Sequence, residues 1–438
     1  MNYKKQYSDL KNYRLIISIA IPMILSNIST PLLGFIDTAI IGRISVQQIG
    51  AIAIGSSILS FLYFCFSFFR MGTTGLIAQA YGKNNYNEVE NIIKKNLFLA
   101  LICGLFCIPS LLLIKDIIIN IFSDNLIIHT LTKSYINIRI FGAPATFINF
   151  VIFGVLLGSN KPWKIFKLVI FINILNIILD LYLGVHIGLN LNGIAYGTII
   201  SEYTGVLIGL YYIKNLIPLD NLFKQKSLFK NNFNIIFKAN INLFIRTALI
   251  LISILMFTAI GSRLGETILA ANAILIIFQM FLSYSLDGFA QAAEVLVGNE
   301  YGKKNKKNII NIVISSGIIS FIFALFYSII FYFFATKIIL MITSIDEVIT
   351  ETNNYIIWII LSPLISFLSF HLDGVFIGSN KTKIMRNSVL ISFIIYLICL
   401  IIFVPIYGNQ GLWGSFIIFM FFRGLLLLIK YKSLYKFN

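Results

Sequence analysis

Two carboxylates and three neutral polar residues are the groups in this chain best placed to do chemistry. Asp37 lies in the apolar run IPMILSNISTPLLGFIDTAIIGR, Ile21–Arg43, which is long enough to cross a bilayer. Asn173, Asn176 and Asp180 are spaced i, i+3, i+7 on another apolar run. That spacing lines one helical face. Thr198 sits one turn into the run that follows. A carboxylate in hydrocarbon costs about 2.5–3.5 kcal/mol on insertion scales, so each acid needs a partner or a wet cavity. Close to Asp37 the chain offers only the Thr38 hydroxyl, and Arg43 lies six residues on. Two carboxylates, an amide oxygen and a hydroxyl form a site for a proton or a hard cation such as Na+. The alternative for Asn176 and Thr198 is interhelical hydrogen bonding alone. Arg139 is the one cation able to compete for the acids from a similar depth.

The elements that must position these groups are membrane helices. The 438 residues are 58% hydrophobic and 12% charged, against about a quarter charged in soluble domains. The apolar runs are continuous and ~20 residues long, which excludes a closed β-barrel. Twelve runs are expected, at 15–41, 48–80, 95–122, 134–158, 163–184, 193–213, 238–261, 267–299, 308–334, 353–378, 384–405 and 411–430. The fold class is therefore all-α, a polytopic membrane protein of twelve transmembrane helices. Residues 1–14 are basic and polar with no small-residue cleavage pattern after them, so the first helix is expected to be retained. Cys65, Cys103, Cys107 and Cys399 all lie inside apolar runs and read as small hydrophobes, not as a disulfide or metal set.

The net charge of +17 follows from orientation. The termini and the loops after spans two, four, six, eight and ten hold 25 of the 34 Lys and Arg residues. The opposite loops hold 5, and Arg70, Arg139, Arg246 and Arg423 lie within spans. This bias places both termini in the cytoplasm and removes any need for a nucleic-acid partner. It also puts Asp37, Asn176, Asp180 and Thr198 together in the outer half of the membrane.

The chain repeats itself at an offset of 220 residues. Tyr81-Gly82-Lys83 recurs as Tyr301-Gly302-Lys303, and Gly158-Ser159-Asn160-Lys161 as Gly378-Ser379-Asn380-Lys381. Gly154-Val155 matches Gly374-Val375, and Thr38-Ala39-Ile40 matches Thr258-Ala259-Ile260. Two six-helix lobes follow, 1–225 and 226–438, joined through the polar stretch Lys214–Lys238. Because six is even, the lobes are parallel repeats, the layout of one class of secondary transporter. The offset pairs Asp37 with Phe257 and Asp373 with Phe153, so these acids are not explained by the shared scaffold.

The second lobe has its own charges. Asp287 and Glu294 lie in span eight, Asp373 in span ten and Arg246 in span seven, all in the inner half. They read as a buried ion-pair network or as a substrate or proton relay. Arg70 and Arg423 are expected to snorkel or pair near cytoplasmic ends. Glu202 sits mid-span in span six and, with Asn173, is a candidate for lining a cavity.

The residues PLLGFIDTAIIGR and FRMGTTGLIAQAYGK resemble the multidrug and toxic compound extrusion (MATE) family. Leu286-Asp287-Gly288, Ala293-Glu294 and Leu372-Asp373-Gly374-Val375-Phe376-Ile377-Gly378 resemble its DNA-damage-inducible F (DinF)-like branch. The resemblance covers nearly the whole chain. It implies a V-shaped alternating-access fold and cation-coupled efflux. It places the essential first-helix acid on Asp37 and its partners on Asn176, Asp180 and Thr198. Other branches hold Na+ in the second lobe with an acid on helix seven, where this chain has only Arg246.

The reading is thus a multidrug exporter of a bacterial inner membrane, an H+ or Na+ antiporter working by alternating access. Its substrates are small amphipathic or cationic organic molecules, and it is expected to act as a monomer in the lipid bilayer, without cofactors or enzymatic activity. Rival readings are a flippase for lipid-linked oligosaccharide, which favours a cationic cavity, and a membrane prenyltransferase, which needs acid clusters that no span contains.

Overall fold

A computed structural model describes residues 2–41, 45–122, 125–216 and 233–435. Among them every regular element is a helix. Lipid dictates this, because a helix satisfies its own backbone N–H and C=O groups. The helices are α1 (Asn2–Ile41), α2 (Val46–Cys65), α3 (Phe68–Gly82), α4 (Tyr86–Phe122), α5 (Leu126–Arg139), α6 (Ala143–Gly158) and α7 (Pro162–Leu179). They continue as α8 (Asn190–Ile213), α9 (Phe233–Leu264), α10 (Glu266–Gly302), α11 (Lys306–Ile342), α12 (Asp346–Gly378), α13 (Thr382–Tyr407) and α14 (Asn409–Ile429). Eleven helical runs among the described residues are long and apolar enough to cross a membrane. With α1, itself 40 residues long, twelve spans result.

Three spans that read as single apolar runs are interrupted. α2 and α3 are separated at Phe66 and Ser67, and α5 and α6 by a 3-10 turn, Ile140–Gly142. α7 passes into a π-helical turn, Asp180–His186. All three breaks fall in the first half of the chain. Their repeat partners α10, α12 and α13 run through unbroken.

By its contacts the chain forms two compact units, Leu25–Asn240, and Met1–Ile24 with Ile241–Asn438. The expected boundary between residues 225 and 226 lies outside the described residues, as does Arg43. The 220-residue repeat is written into the backbone of both units. Asn84 and Lys304 adopt φ of 56° and 57°, and Asn160 and Asn380 adopt 58° and 55°. These left-handed residues turn the chain after α3, α10, α6 and α12. Asn85 then caps α4 by accepting from the Glu88 N–H at 3.1 Å, and Asn305 caps α11 by accepting from the Asn308 N–H at 3.2 Å.

The packing repeats as well. A Cβ at Gly154 would lie 2.6 Å from the Arg70 carbonyl oxygen, and one at Gly158 2.8 Å from that of Thr74. Cβ atoms at Gly374 and Gly378 would collide with the carbonyls of Ala290 and Glu294, the same four positions one repeat later. Glycine here lets α6 lie on α3, and α12 on α10, backbone against backbone. The second unit closes around buried Phe257, Phe278, Tyr396, Trp413 and Phe419.

Candidate functional site

Within the unit Leu25–Asn240, α1, α7 and α8 bring the polar residues of the first lobe together. Asn176 and Asp180 are 0% exposed, and Thr198 is buried beside them. Asn176 Nδ2 donates to Asp180 Oδ1 and to Thr198 Oγ1, both at 3.2 Å. The Thr198 hydroxyl donates its own proton to the Ile194 carbonyl at 2.9 Å. Asp37 approaches from α1, its carboxyl within hydrogen-bonding reach of Asp180. Asn173 Nδ2 donates to the Ser29 carbonyl at 3.3 Å, which ties α7 to α1 two residues before Pro31. Tyr135 of α5 is buried within electrostatic range of both acids.

Two local features allow Asp180 this position. It opens the π-helical turn, whose wider winding re-aims side chains and recurs at functional sites. Across from it on α8 stands Gly197, where a Cβ would collide with Asp180 Oδ1. Gly193, one turn earlier, faces the π-helical turn itself, since its Cβ would lie 2.6 Å from Gly184 N. Nothing in the spacing of polar residues points to Gly197. The repeat does, because the position 220 residues on is Ile417.

Among the described residues three buried oxygens of this group meet no hydrogen-bond donor: Asp37 Oδ1, Asn176 Oδ1 and Asp180 Oδ2. A buried acceptor left without a donor costs about 1–3 kcal/mol, more when charged. All three are hard oxygens, suited to a proton or a hard cation. Among the described residues no group of three or more His, Cys, Asp or Glu could hold a metal. Any cation shell here would need the amide and hydroxyl oxygens as well as the carboxylates.

Arg139, the cation placed to compete for the acids, is engaged by Glu202. Its Nη1 and Nη2 donate to Glu202 Oε2 and Oε1 at 3.1 and 2.6 Å. The Thr146 hydroxyl donates to Glu202 Oε2 at 2.9 Å, and Asn149 Nδ2 to the Glu202 carbonyl at 3.0 Å. The guanidinium also lies 5.4 Å from the Tyr63 ring centre. With all four groups ionised, Asp37, Asp180 and Glu202 outnumber Arg139 by two charges.

In the other unit, Asp373 of α12 is 4% exposed and accepts from two arginines, Arg246 of α9 and Arg423 of α14. The Arg423 contact is 2.8 Å long. Arg423 is 3% exposed and also lies over the Phe419 and Phe370 rings. The sequence expectation for Arg423 named no partner; here it joins Arg246 and Asp373. On α10, Glu294 is buried and Asp287 half-buried.

Shifting by 220 residues shows what the second unit puts in place of the first-lobe group. Asp37, Asn173, Asn176, Asp180, Gly197 and Thr198 become Phe257, Phe393, Tyr396, Leu400, Ile417 and Ile418. Phe257, Tyr396 and Leu400 belong to the apolar core of that unit, with Phe393 packed against it.

The MatE family model matches residues 22–182 and 243–405. The chain is 34% identical over 410 residues to DNA damage-inducible protein F of Escherichia coli strain K12, covering 93% of this chain and 89% of that protein. It is 25% identical over 375 residues to the probable multidrug resistance protein NorM of Thermotoga maritima, covering 78% and 77%. Its fold matches that of the Vibrio cholerae MATE transporter VcmN in the bent form, with a TM-score of 0.87 over 98% of each chain at 18% identity. A MOP superfamily transporter from Pyrococcus furiosus matches with a TM-score of 0.85 over 97% of this chain and 96% of that one, at 17% identity.

Proposed function

Because the chain belongs to the multidrug and toxic compound extrusion family of transporters, on its DinF-like side, we propose that it is a secondary active exporter that exchanges an inward-moving H+ or Na+ for an outgoing organic molecule. The observation that carries this reading is the set of three oxygens on Asp37, Asn176 and Asp180 that meet no donor among the described residues. A proton or Na+ supplies what that group lacks. Loading from the outer side puts a proton between the two carboxyls, or a Na+ among their oxygens and the Asn176 amide oxygen, and release to the cytoplasm restores the partnerless state. Occupancy therefore changes the free energy of the interior, which is the requirement for coupling it to alternating access.

Thr198 holds Asn176, Asn173 ties α7 to α1, and the Arg139–Glu202 pair keeps the guanidinium off the acids. In the second unit, Arg246, Asp373 and Arg423 act as an ion-pair network that holds α9, α12 and α14 together, with Asp287 and Glu294 nearby on α10. Substrates are small amphipathic or cationic organic molecules, in line with the multidrug resistance named for the NorM relatives. The protein works as a monomer in a bacterial inner membrane, with both termini cytoplasmic.

Dye efflux in inverted vesicles, with pH and Na+ gradients imposed separately, tests this directly. One gradient should drive transport, and Asp37→Asn should abolish that dependence while leaving the protein in the membrane. Full gradient-driven transport by Asp37→Asn would sink the proposal.

A further inference from the structure

The unit Met1–Ile24 with Ile241–Asn438 carries an apolar groove between α11, α12 and the turn after α14, with a volume of about 970 Å³. Ile310, Ile314, Gly317 and Phe321 line it along α11, Phe367 from α12 and Leu428 from α14. Lys306 and Lys432 stand at one end, both exposed. From Lys306 to Phe321 the groove follows α11 for fifteen residues, about 22 Å at 1.5 Å per residue. That is close to half the ~40–45 Å of a bilayer with its headgroups.

Gly317 is the one residue without a side chain among the described residues that line the groove. A Cβ at Gly317 would lie 3.3 Å from His371 Nε2, so a larger side chain there would crowd the groove where it meets α12. His371 is 3% exposed and lines the groove, and its Nδ1 has no hydrogen-bond partner among the described residues. At the rim the Lys306 ammonium is held 4.9 Å from the centre of the Tyr435 ring. The charge around this end is positive, with Lys304, Lys307 and Lys430 close in sequence to the two rim lysines, while Lys303 is paired with Glu300.

We propose that this groove seats an acyl chain of an anionic phospholipid from the leaflet on the lysine-rich side, with the lipid phosphate against Lys306 and Lys432. A zwitterionic lipid offers the same chain but no net charge to match the two ammonium groups. The proposal does not depend on which ion or substrate the transporter moves.

Native mass spectrometry of the full-length protein in detergent micelles tests it, using phosphatidylglycerol and phosphatidylcholine of identical acyl chains. Phosphatidylglycerol should be retained, and phosphatidylcholine at least about fivefold less, a ratio that ~1 kcal/mol supplies. The double variant Lys306→Ala/Lys432→Ala should lose that preference, and Gly317→Leu should lose retention of both lipids. The lysines are exposed, so their variant decides the matter even where Gly317→Leu fails to give a monodisperse protein. Equal retention of the two lipids by the unaltered protein, or unchanged phosphatidylglycerol retention in either folded variant, overturns the proposal. A dimer that Gly317→Leu dissociates would make a second copy the occupant and overturn it too.

Discussion

Asp180 meets Asn176 in the way it does because the residue facing it on α8 is a glycine. A methyl group at Gly197 would overlap Asp180 Oδ1, and its other neighbours, Leu179 Cβ and Asp180 N at 3.2 and 3.3 Å, belong to a helix that cannot easily retreat. Overpacking of this kind costs about 1–3 kcal/mol. Gly197→Ala should therefore leave the protein folded but displace the Asp180 carboxyl and lower gradient-driven dye efflux several-fold. Initial rates in inverted vesicles, normalised to the amount of protein, check this. Efflux at the unaltered rate would mean that the position of the Asp180 carboxyl does not matter to coupling. The neighbouring Arg139–Glu202 pair acts at the same scale. Its bidentate geometry uses the one strong cation near the acids among the described residues, so neither Asp37 nor Asp180 is held in a salt bridge with it.

At the scale of helices, the two halves of the chain use the same glycine contacts but differ in continuity. α2–α3, α5–α6 and α7 are each interrupted, and the polar group of the first lobe lies beside the π-helical turn that follows α7. Such interruptions free backbone groups and re-aim side chains, which is tolerated where protein rather than lipid surrounds them. The second unit instead crosslinks three unbroken helices, α9, α12 and α14, through Asp373. Removing the shared carboxylate leaves two guanidinium groups buried without it. Asp373→Asn should lower stability by about 3–5 kcal/mol, whereas replacing Arg246, Asp373 and Arg423 together by Met, Leu and Met should cost far less. Thermal unfolding in detergent measures both. A triple variant less stable than Asp373→Asn would show that packing, not charge balance, sets the value of this network.

For the whole molecule, charge decides orientation and duplication decides architecture. Lys and Arg gather in one set of loops by 25 to 5, and such a bias fixes which side of the membrane those loops face. A green fluorescent protein fused after Asn438 should fluoresce, because it folds in the cytoplasm and not outside a Sec-exported segment. A dark but full-length fusion would reverse the orientation. One scaffold has been given two interiors: where the first lobe places Asp37, Asn176 and Asp180, the second places Phe257, Tyr396 and Leu400. A duplicated bundle can do this because its shared contacts, such as Gly154 with Arg70 and Gly374 with Ala290, lie elsewhere on the helices.

The amino-acid sequence by itself determined the helical class, the spans, the repeat and the acids that depart from it. These are carried by hydropathy, by a constant offset and by helical spacing, all of which are local or periodic and need no knowledge of how helices rotate against each other. The Asn173, Asn176 and Asp180 stripe was legible for that reason. Only the tertiary structure decided that Arg139 takes Glu202, 63 residues away, and that Arg423 joins Asp373 from 50 residues away. It alone revealed the π-helical turn at Asp180 and that Gly197, which the repeat marks only as a departure, makes room for the Asp180 carboxyl. Such choices depend on which face of one helix meets which face of another. That is set by close packing over the whole bundle and leaves no repeating mark in the order of residues.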